Sequence, residues 1–183
     1  TEAEIRALRA RIFAHYKKYG RHSLVWRQTH DPYRILVSEI MLQQTQVERV
    51  FPYYKAWIKK WPTARALSRA PLSDVLRMWS GLGYNSRAKR LLEAARSIVE
   101  RHQGRFPREY AQILALPGVG PYTAGAVMAF AYNEDVYILE TNIRTVLLHH
   151  FFSTKKKVGD DQLLSLLRIL SPKGRAREWY SAL

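Results

Sequence analysis

LPGVGPYTAG, residues 116–125, breaks a chain that otherwise reads as one helix after another. Two glycines and two prolines fall within residues 117–121, and small residues resume at Thr123, Ala124 and Gly125. Gly118 and Gly120 can take backbone angles that other residues avoid, and neither carries a side chain to keep a visiting group at a distance. Pro121 suits the first turn of the helix that follows, where its missing N–H costs nothing. A helix beginning there offers unpaired N–H groups and the positive end of its dipole, which together suit a phosphate. The stretch therefore reads as the hairpin of a helix–hairpin–helix, a device that grips a nucleic-acid backbone without reading bases. By itself it also fits a plain turn between packed helices.

The charge balance favours the first reading. Thirty Lys and Arg stand against fifteen Asp and Glu, a net charge of +15. Such a charge suggests a polyanionic partner, either nucleic acid or an acidic membrane surface. The basic residues are spread along the chain and not gathered on one amphipathic helix, which speaks against the membrane. No run approaches the roughly 18 apolar residues of a membrane span. The N-terminal TEAEIRALRARIF lacks the apolar core of a secretion signal, so an intracellular protein of the cytoplasm or nucleoid is expected. With 47% apolar residues the chain can bury a core of its own. It has no cysteine, which removes disulfides, thiolate metal sites and an iron–sulfur cluster from these residues. No group of carboxylates asks for a catalytic metal, and no organic cofactor is expected.

Apolar periodicity predicts an all-α protein of about ten helices. Ile5, Leu8, Ile12 and Tyr16 form a first stripe, closed by Gly20. Asp31 and Pro32 supply the N-cap and first position of a helix through 33–43. A third helix runs through Val47, Val50, Tyr54 and Trp57 and stops before Pro62. Short helices fit 63–69 and 71–79, and SGLGY (80–84) is a turn. Leu91, Ala94, Ala95, Ile98 and Val99 mark a long helix to about His102, and Pro107 opens a short one. Ala124, Gly125 and Ala129 give the helix after the hairpin a small-residue face. VYILET (136–141) reads as extended or irregular, with Val136–Leu139 as the sole strand candidate. Further helices fit 143–152, 160–170 and 174–183. The run Lys155–Lys157 beside Gly159 reads as an exposed loop.

Four stretches, LVWRQTHDPYRILVSEIMLQQTQV (24–47), WSGLGYNSRAKRL (79–91), LPGVGPYTAGAV (116–127) and ILETNIRTVL (138–147), make the chain resemble the helix–hairpin–helix DNA glycosylase superfamily. Within it the resemblance is to the MutY-type adenine glycosylases. Order and spacing agree over about residues 10–150; SEIMLQQTQV is the most specific part, and the hairpin is shared across the superfamily. The resemblance implies two helical lobes with a DNA cleft between them. One lobe is residues 24–130 with the hairpin; the other combines 1–23 with 131–183. Glu39 and Glu140 are expected to face each other across the cleft.

Removing adenine requires protonating the base and stabilising the positive charge left on the sugar. Glu39 has Val37, Ile40, Met41 and Leu42 as neighbours and shares a helix face with Leu36 and Gln43. An apolar setting raises a carboxyl pKa and keeps its proton available. Read alone, Glu39 also fits the exposed face of an amphipathic helix; the resemblance implies the acid that protonates adenine N7 and later handles the water. It further implies that Gln43 or Gln44, or both, enter the duplex near the extruded base or contact the opposite one, and that Tyr84 is a stacking wedge. Asn85 stands where the family often has a second aromatic. Trp26 and Arg27 match a tryptophan–arginine pair near the base pocket, with Val25 in place of the usual proline; Trp26 fits core packing equally well. Gly118 and Gly120 in the hairpin, with Asn142 and Arg144, complete the implied DNA contacts.

Tyr122 and Glu140 qualify the chemistry. Relatives that also cut the strand carry a Schiff-base lysine where Tyr122 stands, so a phenol there implies base removal alone. Tyrosine at that place also occurs in thymine mismatch glycosylases. At Glu140 the family has an aspartate that stabilises the sugar cation. The extra methylene displaces the carboxylate, and about 1 Å of misplacement can cost roughly a hundredfold in rate. Glu140 therefore reads as a working carboxylate on an adjusted backbone, as a weakened or engineered site, or as the mark of another substrate. The chain stops at REWYSAL, where the family usually continues into a four-cysteine cluster loop and a domain that detects 8-oxoguanine; a reduced preference for 8-oxoguanine over guanine is expected.

The expected function is monofunctional removal of adenine opposite guanine or 8-oxoguanine. The alternatives are a thymine or uracil mismatch glycosylase and a mismatch-binding protein that does not cut. The partner is double-stranded DNA, bound by a monomer, and the resemblance admits a monovalent cation on the hairpin carbonyls near 115–120.

Overall fold

In the computed structural model, residues 2–153 and 157–183 are described, and every regular element among them is an α-helix. The N-terminal half comprises α1 (Glu2–Tyr19), α2 (Pro32–Leu42), α3 (Val47–Lys60), α4 (Ala64–Ser68) and α5 (Leu72–Trp79). The rest follows as α6 (Ser86–His102), α7 (Tyr110–Leu114), α8 (Pro121–Tyr132), α9 (Thr141–Phe151), α10 (Asp160–Leu170) and α11 (Ala176–Ala182). None of the helices is long and apolar enough to cross a membrane, among the described residues.

Local chemistry sets most of the boundaries. Asp31 Oδ1 accepts from the N–H of Tyr33 at 2.9 Å and of Arg34 at 3.1 Å, and Pro32 holds the first helical position of α2. Thr63 caps α4 in the same way through Ala66 N, at 3.1 Å. The long α6 ends in a left-handed residue, Gln103 (φ 55°), and α8 ends at Asn133 (φ 55°).

Two apolar clusters organise these helices. The first is built on α2 to α8, and its interior includes Trp57, Trp61 and Trp79, packed edge to face with centroids 4.7 and 5.5 Å apart. The second joins α9, α10 and α11 to the 136–139 segment, with Ile5, Leu8, Ile12 and Phe13 of α1 laid against it. Phe130 and Val136 touch both. The small residues of α8 make this junction: Thr123 to Ala129 are all buried, and a Cβ added at Gly125 would stand 3.1 Å from Ile138 Cγ1. The returning chain thus crosses α8 closely at Gly125 and Ile138.

Several expectations change in detail. Eleven helices are present among the described residues, in line with the expected number. Val136–Leu139 forms no strand; its backbone is met by Tyr180, whose hydroxyl accepts from Ile138 N and donates to Val136 O. Pro107 does not open α7. It is buried, its carbonyl accepts from the Tyr132 hydroxyl at 3.0 Å, and the helix begins three residues later after the extended Glu109. Tyr16 leaves the stripe of α1 to pack at a tilt against His22, and Phe13 takes its place. Lys155 and Lys156 lie outside the described residues; Lys157 is exposed.

Candidate active site

α2 is the most buried helix of the chain, with every residue from Ile35 to Met41 in the interior. Glu39 is the carboxylate of that run and keeps 9% of its surface exposed. Its apolar neighbours are those that make the helix a core helix, so the acid is carried inside by the packing of α2 on α8. Burial pushes its carboxyl up from 4.5 to about 7; the neighbouring Tyr122 hydroxyl and the charge of Arg27 pull the other way and do not cancel the shift. Tyr122 lies in the first turn of α8, two residues after Gly120. Burial of its phenol and the nearby carboxylates of Glu39 and Glu140 push it above the ordinary tyrosine range, so it stays a hydrogen-bond donor.

Glu39 opens into a cavity of about 850 Å³, within the roughly 300–1,000 Å³ of small-molecule sites. Its walls come from both apolar clusters. Trp26, Arg27, Ser38, Gln43, Gln44, Tyr122 and Phe130 belong to one side; Leu139, Glu140, Asn142, Arg144, Arg177 and Ser181 belong to the other. Residues 101 positions apart in the chain, Glu39 and Glu140, therefore line one space.

Glu140 is the N-cap of α9. Its Oε1 accepts from Ile143 N at 2.7 Å, the bond an N-cap aspartate makes with a shorter arm. The added methylene is absorbed by folding the side chain back on its own helix start. One oxygen is committed to the cap, and negative charge is favourable at a helix N-terminus. Two carboxyl groups thus share the cavity in unlike environments, one buried and holding its proton to near neutrality, the other anchored at a helix end. Such a separation suits proton donation by the first and stabilisation of positive charge by the second.

The two sides are tied by arginines that exchange bonds. Arg27 Nη1 donates to Ser181 O at 2.8 Å, and Arg177 Nη2 donates back to Arg27 O at 2.6 Å and Thr29 O at 2.8 Å. Arg177 Nη1 also donates to Phe130 O at the end of α8. Nothing in the sequence marked Arg177. It stands in a short helix whose buried residues are Ala176, Trp179 and Tyr180, and its carbonyl partners lie about 50 and about 150 residues away.

Nine expected residues meet at the cavity: Trp26, Arg27, Glu39, Gln43, Gln44, Tyr122, Glu140, Asn142 and Arg144. Trp26 is a core residue whose edge also reaches the cavity. It is 6% exposed, packs edge-on against Phe51 and Tyr54, and also lines the cavity. Arg144 is not a lone cation: it pairs with Asp160, an exposed contact of little energetic weight that a phosphate could replace. Tyr84, Gly118 and Gly120 lie outside the cavity wall. Tyr84 is 65% exposed. Gly118 is left-handed at φ +78°, but Gly120 is not: its φ is −98°, and nothing stands within 4 Å of where its Cβ would be. The second glycine leaves open space where α8 starts, and α8 has no side-chain cap there. Among the described residues no group of His, Cys, Asp and Glu could hold a metal ion, so a cation at the hairpin would rest on backbone carbonyls alone.

Residues 37–172 match the HhH-GPD superfamily of base excision DNA repair proteins. The adenine DNA glycosylase of Buchnera aphidicola subsp. Baizongia pistaciae is 44% identical over 136 residues, 74% of this chain and 39% of that protein. That of Mycolicibacterium smegmatis is 41% identical over 165 residues, 90% of this chain and 56% of that protein. The human adenine DNA glycosylase is 43% identical over 155 residues, 79% of this chain and 28% of that protein. The chain thus spans about half, or less, of the length of these relatives. Among solved structures, a thermostable thymine-DNA glycosylase superposes with a TM-score of 0.88 at 29% identity, over 98% of this chain and 84% of that one. An endonuclease III trapped covalently on DNA shares the fold, with a TM-score of 0.78 at 19% identity, over 98% and 85% of the two chains.

Proposed function

The chain belongs to the HhH-GPD superfamily of base excision DNA repair proteins, and we propose that it is a monofunctional DNA N-glycosylase that removes adenine mispaired with guanine or 8-oxoguanine. The observation that carries this reading is a buried Glu39 in a cavity that Tyr122 and Glu140 also line. The two apolar clusters serve as the two lobes, 24–130 and 1–23 with 131–183, and a monomer holds the duplex between them. The hairpin and the basic surface bind phosphates. Gln44 and Tyr84 open the stack, and the adenine turns into the cavity at a cost of about a few kcal/mol.

Glu39 then gives its proton to adenine N7. The bond from C1′ to N9 breaks and its electron pair leaves on the base. Glu140 stabilises the positive charge left on the sugar while water closes on C1′ and returns a proton to Glu39. Base, abasic sugar and enzyme balance without a cofactor. Tyr122 orients Glu39 and, lacking an amine, forms no Schiff base, so the strand stays intact.

The test is a panel of duplexes carrying A:8-oxoG, A:G, T:G and U:G, incubated with the protein and then treated with alkali. Cleavage at adenine in the first two supports the reading. No cleavage at adenine by protein that binds the same duplexes removes it, and cleavage confined to T:G or U:G reassigns the substrate.

Two further outcomes are expected. The acid works only while Glu39 is protonated, and its carboxyl sits at about 7. The single-turnover excision rate is therefore highest on the acid side of neutrality and falls as pH rises through 7, by about tenfold per unit once Glu39 is ionised. A rate flat from pH 6 to 9 contradicts the assignment.

At the hairpin the two glycines separate. Gly118→Ala places a Cβ 2.7 Å from Arg90 Cβ on a left-handed backbone and lowers stability by at least about 1–2 kcal/mol in urea unfolding. Gly120→Ala leaves stability within about 0.5 kcal/mol. It weakens duplex binding at equal salt, because its methyl group stands where the backbone phosphate approaches.

A further inference from the structure

We propose that Arg87 is a positioning residue that locks the turn after α2 and the turn before α6 into one rigid edge, with Gln44 and Tyr84 as its two tips. The inference rests on the DNA-glycosylase reading for what those tips meet, and on geometry alone for the lock.

Arg87 sits in the first turn of α6 among exposed basic residues, yet only 8% of it is exposed. Its guanidinium divides its work between two segments about 40 residues apart. Nη1 donates to the end of α2: to Ile40 O at 3.0 Å, Met41 O at 3.1 Å, and Gln43 O. Nη2 donates to Leu82 O and Gly83 O, each at 3.1 Å, and to Thr45 Oγ1 at 3.1 Å. The rings of Trp79 and Tyr84 pack against its carbon centre at 5.3 and 5.6 Å. All these partners lie within the protein, so Arg87 is no phosphate ligand.

The placement of two of these bonds decides the role. Gln44 and Tyr84 are both left-handed without being glycine, at φ 53° and 50°. Such residues cost of order 1–3 kcal/mol and persist only where the surroundings over-determine them. Arg87 binds the carbonyl immediately before each one: Gln43 O before Gln44, and Gly83 O before Tyr84. One planar fork thus holds both peptide planes whose setting aims the two side chains. The remaining carbonyls of the second turn are also taken, Ser80 O by the Tyr53 hydroxyl at 2.9 Å and Gly81 O by Arg49. A compact lysine ammonium cannot reproduce the two-sided grip.

Arg87→Lys and the milder Thr45→Val are compared with wild type by amide hydrogen exchange of the free protein, by thermal melting, and by binding to matched and A:G duplexes. If the lock is real, Arg87→Lys speeds exchange in both 43–46 and 80–84 by about tenfold or more and leaves 116–120 unchanged. The preference for the mispaired duplex falls about tenfold, while matched-duplex affinity, which phosphates dominate, stays within about threefold. Exchange confined to one turn, or an undiminished mispair preference with both turns loosened, overturns the proposal. If Arg87→Lys unfolds, Thr45→Val decides: faster exchange reaching 80–84 supports the lock, and a change confined to 43–46 overturns it. Should wild type itself show no mispair preference, the adenine reading fails, and the exchange measurement alone decides whether the two turns move as one.

Discussion

Glu39→Gln is expected to lower the single-turnover rate of adenine excision by about 10²–10⁴-fold, the usual contribution of general acid catalysis, and to leave duplex affinity within about a few-fold. The amide keeps the shape of the side chain, but it has no acidic proton to give to N7. The same substitution is expected to stabilise the protein in alkaline buffer. In the folded state the Glu39 carboxyl is raised from 4.5 to about 7 by burial. Between those values the native state holds a proton that the unfolded chain has lost, so stability falls as pH rises through the window and stays lower above it. At about 1.4 kcal/mol per pKa unit the penalty at pH 8 is on the order of 3 kcal/mol. Urea unfolding of the two proteins should therefore coincide near pH 4.5, diverge as pH rises from there to about 7, and stay apart by a constant amount above it. Wild-type excision by the Glu39→Gln variant would end the assignment of the acid. Equal stabilities at pH 8 would show that Glu39 is solvated when charged.

Glu140→Gln is expected to cost about 10²–10³-fold in rate, as removal of a preorganised charge stabiliser does elsewhere. The amide can still accept from Ile143 N, so helix α9 keeps its cap and stability should change by less than about 0.5 kcal/mol. Glu140→Ala loses cap and charge together, adding about 1 kcal/mol of destabilisation to a similar loss of rate. The pair of variants separates the two duties of one carboxylate. Glu140→Asp shortens the arm at a position already built as an N-cap, where Asp is a preferred residue, and is expected to raise the rate. A lower rate in that variant would show that the cavity has settled around the longer side chain. Single-turnover measurements on an A:8-oxoG duplex, with melting curves on the same samples, resolve all three.

Residue by residue, legibility followed the range of the force involved. The Asp31-Pro32 start of α2 was readable because the cap and the proline act within three residues. The apolar neighbours of Glu39 were readable, but its burial was not, since the same residues fit an amphipathic helix; the packing of α2 on α8 decided it. Pro107 misled because the sign of a helix start is also the sign of an extended approach, and the contact that decided between them, from Tyr132, comes from another helix. Gly120 looked like a second left-handed glycine; the hairpin needs only one such residue, and its neighbour supplies open space instead. Arg87 and Arg177 had no local signal, since arginine in a polar helix face is ordinary, and only the carbonyls that converge on each guanidinium from distant segments distinguish them.

The order of helices, the hairpin between α7 and α8, the basic character of the surface and the apolar setting of the acid at position 39 were thus determined by the amino-acid sequence alone. Capping, turn chemistry and periodicity operate over a few residues and are written in them. Tertiary structure alone decided that the chain crosses α8 at Gly125 and returns to set Glu140 in the cavity of Glu39 and Tyr122, with Arg27 and Arg177 tying the walls. That meeting depends on the packing of two clusters joined by a small-residue helix, and no window of sequence contains both partners of such a contact.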